Sequence, residues 1–161
     1  MKLKVAILLA VLMLVLVGCN QRLLEAGDLI YEAPEELTGE WQRAEYPEGS
    51  QFLLIDEQEV ELWANKVRGL EDFEFDYGSA VYVGLGERPT GGYGIQINQI
   101  RREDDILIVV VKARGPAPTD MVTQAITYPH DLVQLEEEEV AGVKQVIFID
   151  QEGEKIKLQK L

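Results

Sequence analysis

The sequence predicts a mainly β domain of α+β class, an antiparallel β-sandwich or partly closed barrel with one helix packed on it. Three observations lead there. Short runs rich in Val, Ile and Tyr recur from residue 52 onward and are broken by Gly, Pro, Asp or Glu. The connections between neighbouring runs are short, which favours antiparallel neighbours. A single stretch carries helical rather than alternating apolar spacing.

Taken in order, Trp41 and Tyr46 mark a segment that packs on the body, with a first strand around Trp41, and FLLI (Phe52–Ile55) is a short strand. Val60, Trp63, Ala64 and Val67 then fall at i, i+3, i+4 and i+7, one face of a helix. Asp56 is its expected N-cap, Glu59 completes a capping box, and Gly69 ends it. Strands follow at AVYVGL (Ala80–Leu85), GIQINQI (Gly94–Ile100), ILIVVVKA (Ile106–Ala113), TQAITY (Thr123–Tyr128), DLVQL (Asp131–Leu135), KQVIFI (Lys144–Ile149) and KIKL (Lys155–Leu158). The run ILIVVV lacks polar alternation, as a central strand buried on both faces does. In GIQINQI the alternation slips after Ile97, which predicts a bulge near Asn98. Asp104–Asp105 and Gln151–Gly153 suit hairpin turns, and EEEE (Glu136–Glu139) reads as a solvated turn.

The first eighteen residues have a different design. Lys2 and Lys4 precede an unbroken apolar run, Val5–Val17, that is shorter than the roughly 20 residues of a membrane-spanning helix but suits the core of a secretory signal. It ends in LVGC, with Cys19 the only cysteine in the chain, so no disulfide partner accounts for it. This junction resembles the lipobox of bacterial lipoprotein precursors. The resemblance implies cleavage after Gly18, lipidation of Cys19, and an extracytoplasmic protein held on the outer face of the cell membrane, or on the outer membrane in a Gram-negative envelope. Asn20 rather than Asp follows the cysteine, so an inner-membrane retention signal is lacking. The predicted organisation is a signal peptide (1–18), a lipidated N-terminus and acidic tether (19–48) and a β domain (49–161).

Loss of Lys2 and Lys4 with the leader moves the formal charge from −14 to −16. So acidic a body repels polyanions, which makes nucleic acid an unlikely partner, and lipid headgroups do not draw it in; the anchor does. The glycine-rich stretch GLGERPTGGYGIQI (Gly84–Ile97) is no phosphate cradle. Gly86 and Gly91 have the P-loop spacing, but Gly92 and Tyr93 stand where Lys and Ser or Thr are needed, and a strand rather than a helix follows. One histidine and one cysteine cannot assemble an ordinary zinc site, and the acidic runs lack calcium-loop spacing, so no metal or cofactor is expected. His130 has no nucleophile context around it and reads as a surface histidine. No enzyme and no small-molecule substrate are expected.

The block GERPTGGYGIQI…ILIVVVKARGPAPTDMVTQAITYPHDLVQL resembles the C-terminal domain of the protease complex subunit PrcB family. The resemblance rests on Arg88-Pro89-Thr90-Gly91-Gly92-Tyr93, the GPAPTD loop (Gly115–Asp120) and Gln124-Ala125-Ile126-Thr127-Tyr128-Pro129. It implies a membrane-anchored accessory protein of a secreted or cell-surface protease. The turn is also similar to the N-P-T-T-G-Y/F loop of chagasin-type inhibitors of papain-like proteases. Arg stands here for Asn and Gly for the second Thr, and the family's other two loops are missing. Pro89 fixes φ while Gly91 and Gly92 permit φ > 0, and Tyr93 folds beneath as an anchor whose hydroxyl bonds loop backbone. Such a turn serves as a plain hairpin connection or as a stiff contact surface. In the second case Arg88, Pro89, Thr90, Gly91, Gly92 and Tyr93, with Pro116, Pro118 and Thr119, form the partner-binding loops. The expected function is protein binding in association with a protease; direct protease inhibition and a purely structural envelope role are the alternatives.

Overall fold

The strand-forming runs pair into two sheets in the computed structural model, which describes residues 22–161 apart from 44, 60–61, 64–65, 71–72 and 74–77. The signal peptide and Cys19 lie outside the described residues. Eight strands are present among those described: β1 (Asp28–Glu32), β2 (Gln51–Asp56), β3 (Ser79–Gly84), β4 (Gly94–Glu103), β5 (Ile106–Arg114), β6 (His130–Leu135), β7 (Gln145–Ile149) and β8 (Lys155–Lys160). One sheet has the order β1-β4-β5-β7-β8 and the other β2-β3-β6. The two remain separate, so the barrel alternative gives way to a sandwich-like pair of sheets.

Between the sheets lies the main core. Phe52, Leu54, Val81, Val83 and Leu135 from the smaller sheet meet Ile97, Ile100, Leu107, Val109, Val111, Val146 and Phe148 from the larger. β5 sits centrally and is buried on both faces, as its unbroken apolar run requires. Asn98 is the bulge: Ile97 faces Val111 while Gln99 already faces Val110. Turns occupy Asp104–Asp105, with Asp104 at φ 53°, and Gln151–Glu152, with Gly153 at φ 78°.

Several expectations are corrected. β5 and β7 run parallel, because the chain leaves for the other sheet through β6 before returning. No strand forms around Trp41. Instead β1 arises from DLIYE, inside the stretch read as tether, and pairs with the long edge of β4. Its Leu, Ile and Tyr supply β-forming side chains that the acidic surroundings mask in the sequence. Glu137–Val140 is one helical turn, with Glu136 and Glu139 forming a reciprocal capping box. TQAITY is no strand. Thr123 to Ile126 are exposed and only Thr127 makes a bridge, to Arg88, because this segment has no apolar surface beneath it to cover.

The expected packed helix is seen only as separate turns. Asp56 Oδ1 accepts from Glu59 N at 2.9 Å, as the N-cap prediction requires. Trp63 N donates to Glu59 O and Val67 N to Trp63 O, while Val60 and Ala64 lie outside the described residues. Trp63, Val67, Leu70 and Phe73 pack on Leu53, Ile55 and Tyr82, covering the outer face of the smaller sheet. The outer face of the larger sheet is covered too. Leu23, Leu24 and Ala26 pack on Ile108, Val110 and Ile149.

Candidate functional site

Strand direction gathers three connections at one end of the sandwich, where β4 begins and β5 ends: residues 33–50, 85–93 and 115–129. Backbone hydrogen bonds knit the last two together. Arg88 and Thr127 exchange both bonds (2.8 and 2.9 Å), Leu85 N donates to Pro129 O, and Gly91 N donates to Thr123 O. Thr127 Oγ1 adds a bond to Thr90 O at 2.9 Å. The pairing continues the β3–β6 ladder past its last residues, so the loops are tied over most of their length. Pairing of this kind removes much of the freedom a loop would otherwise lose on binding a partner.

The glycines mark where backbones approach. Gly92 has φ 85°, a left-handed conformation, and a Cβ there would meet Val122 and Pro116. Gly91 lacks the expected positive φ; it is required for space, since a Cβ would lie 2.5 Å from Thr123 Oγ1. The two predicted loops therefore touch, Arg88–Tyr93 against Pro116 and Val122.

Tyr93 does fold beneath its turn, packed against the main core and facing Gly115. Among the described residues its hydroxyl bonds no loop backbone. It accepts from the Arg43 guanidinium at 3.2 Å, and Arg43 also lies 5.6 Å from the Tyr93 ring and 5.7 Å from the Trp41 ring. Trp41 stacks on Tyr46, which meets Phe52 edge-on. The third connection is thus an aromatic buttress for the turn, fixed further by Gly115 N donating to Glu40 O.

Arg88 is buried, so it belongs to the frame rather than to the accessible surface. Burial and the nearby Arg43 charge pull its pKa below the ordinary arginine value. Pro89, Gly92, Pro118 and Thr119 are exposed; Thr90, Gly91, Tyr93 and Pro116 are half-buried. Beside them stand two residues that the sequence reading did not single out. Met121 is fully exposed, at 102%, and Ile126 is 61% exposed. They flank Thr123, whose carbonyl is held by Gly91, so the backbone presents both apolar side chains to solvent. A period-2 reading of TQAITY hides this, because it assigns Ile126 to a buried strand face.

Below the buttress, Trp41, Arg43, Tyr46, Asp150, Gln151, Glu152 and Glu154 line an open cleft of about 320 Å³. Burial raises the Asp150 pKa above the ordinary carboxylate value, and burial with the Asp150 and Glu152 charges raises that of Tyr46. Asp150 Oδ1 already accepts from the backbone of Glu152 and Glu154, closing the β7–β8 turn.

His130 is exposed, stacks on Tyr82 with ring centroids 6.0 Å apart, and has Nδ1 2.8 Å from Tyr128 O. Asp131, its neighbour, turns the other way and joins the sheets: Oδ2 accepts from Ile97 N at 2.8 Å, at the bulge. Among the described residues no group of His, Cys, Asp and Glu is placed to hold a metal ion, and no helix is long and apolar enough to cross a membrane.

Residues 79–136 match the family model for the PrcB C-terminal domain. They span β3 to β6 and include every loop residue above from Leu85 to Pro129. The chagasin-type resemblance finds no support in the comparisons. Neither a curated protein nor a solved structure matches the chain.

Proposed function

Taking residues 79–136 as a PrcB C-terminal domain, we propose that the protein is a lipid-anchored, extracytoplasmic accessory subunit that binds a protease through the loop end of its sandwich. The family association carries the protease. One structural observation carries the site: Met121 and Ile126 stand exposed on a backbone pinned by hydrogen bonds to the Arg88–Tyr93 turn. Isolated exposed apolar residues are ordinary. Here two large ones stand in one loop with exposed Pro118, beside exposed Pro89 of the neighbouring turn, on a frame already ordered by hydrogen bonds, and such a frame loses little freedom on binding. Anchoring rests on the lipobox at Leu16–Cys19. The accessory role rests on the same family association.

The test uses Met121→Glu and Ile126→Glu in the lipidated protein expressed in its native envelope. Both side chains are exposed, so melting temperatures stay within about 2 °C of the parent while co-purification of the protease falls at least tenfold. Undiminished recovery with both variants removes this surface from the reading. Cys19→Ser should abolish lipid labelling, and retained labelling refutes the anchor.

A further inference from the structure

We infer that strand β8 rests on an anionic membrane surface, so that the lipid anchor holds the domain in one orientation rather than on a free tether. The inference rests on the proposed lipidation of Cys19 and goes beyond it.

Position comes first. Leu23 and Leu24 pack on Ile108, Val110 and Ile149, with Ile106 and Ile147 beside them, so the chain is already docked on β5 and β7 four residues after Cys19. Four residues reach at most about 14 Å. β8 is the next strand beyond β7, at the ~4.8 Å spacing of paired strands. A lipid on Cys19 therefore enters the bilayer within reach of β8. Gly27 secures the docking: at φ 70° its backbone lies so close to the Arg102 carbonyl that a Cβ would overlap it.

Composition agrees. β8 reads KIKLQK, and its Lys155, Lys157 and Lys160 are exposed and make no ion pair among the described residues. Lys112 and Lys144, in contrast, are paired with Glu36 and Asp105. Lys160 pairs Gln145, Leu158 pairs Ile147 and Lys155 pairs Ile149 on the outer face of the sheet, while Lys157 pairs Phe148 on its other face, so no carboxylate on β7 stands across from any of the three lysines. Leu158 is 40% exposed and Leu161 60%. Lysines interleaved with exposed leucines suit the headgroup boundary, where the ammonium meets lipid phosphate and the leucine enters the acyl region. An acidic body would not be recruited this way, but once anchored it turns its basic edge downward. Edge lysines also discourage strand pairing; that role would leave β8 in water.

The experiment places a fluorophore on Leu158→Cys or on Met121→Cys in the mature protein on vesicles of phosphatidylcholine with 30% phosphatidylglycerol, on the order of a cytoplasmic membrane's anionic fraction. Lipids carrying a shallow nitroxide report proximity. Quenching at Leu158→Cys should exceed that at Met121→Cys at least threefold. It should fall to the Met121→Cys level when Lys155, Lys157 and Lys160 are all changed to Glu, each lysine contributing about fivefold to surface partition. Equal quenching at the two positions, or quenching unchanged by the triple Glu variant, overturns the proposal. Lipid labelling of Cys19 is measured separately. Should it fail, the anchor reading falls, and the same probes on protein tethered by an N-terminal hexahistidine to nickel-chelating lipid decide the β8 contact alone.

Discussion

Asp131 offers the sharpest test of how the two sheets are held in register. Its carboxylate accepts from Ile97 N at 2.8 Å across the sandwich and from Leu132 N at 2.9 Å. The bulge at Asn98 frees the Ile97 amide from the ladder, so no carbonyl is at hand to replace the carboxylate. Asp131→Ala then leaves a part-buried N–H unpaired, at a cost of about 2 kcal/mol after allowance for partial water access. In a domain of this size 1 kcal/mol moves the melting temperature by roughly 3–4 °C, so the loss should be about 6–8 °C. Asp131→Asn keeps one acceptor oxygen and should lose about half as much. Asp120 is the control: it accepts from Ala117 N at 2.8 Å in an exposed loop, and Asp120→Ala should cost under about 0.5 kcal/mol. Thermal melts of the soluble protein from residue 20 decide the matter. A melting temperature for Asp131→Ala within about 1 °C of the parent would show that the inter-sheet bond contributes nothing.

Gly27→Ala should release the N-terminal segment, because the added Cβ collides with the Arg102 carbonyl and φ 70° is strained for alanine. Limited proteolysis should then cut within residues 22–32 at least tenfold faster, with the rest of the domain intact; an unchanged rate refutes the docking. A second variant, Asp150→Asn, tests the cleft by pH. Burial raises the folded-state pKa of Asp150 above the ordinary 3.8. Its contribution to stability is therefore complete below that value and is lost as pH rises through the folded-state pKa. The stability of Asp150→Asn relative to the parent should accordingly grow in the variant's favour between acid and neutral pH. A difference in urea midpoint that is constant from about pH 3 to pH 7 excludes the effect.

Legibility in the sequence followed apolar contrast. The unbroken ILIVVV of β5, the bulge at Asn98 and the Asp104–Asp105 turn could be read because each breaks or sustains alternation inside a strongly apolar run. β1 could not, since its five residues lie among acidic neighbours and its pairing edge on β4 is supplied from about seventy residues away. Thr123–Tyr128 misled for the converse reason: its β-forming residues suit a strand, but the chain lies beyond the core, and the loop partners at Gly91 and Arg88 decide its shape. The turn itself was legible in Pro89, Gly92 and Tyr93, which act locally. Arg43, which grips Tyr93, was not, because a contact fifty residues apart leaves no periodic trace.

The coverage of both sheets bears on where a partner can bind. Each outer face is apolar, and each is covered by the chain's own connections, by Trp63, Val67, Leu70 and Phe73 on one side and by Leu23, Leu24 and Ala26 on the other. The β2 edge is closed as well: the Gln159 side chain accepts from Leu54 N at 2.8 Å and donates to Leu54 O at 3.0 Å, in place of a further strand. β8 carries its lysines. Large apolar side chains remain exposed at Leu29, Leu62, Leu158 and Leu161 and at the end of the sandwich, where Met121 and Ile126 project. The chain's N-terminal entry crosses β1 at Asp28, which pairs Arg102, whereas the loops surround Gly94 at the other end of β4. Eight residue steps of β4 separate Arg102 from Gly94, about 26 Å of extended strand. Leu23 and Leu24 reach back from the Arg102 end to Val110 and Ile149, so the segment before β1 lies along the middle of the larger sheet.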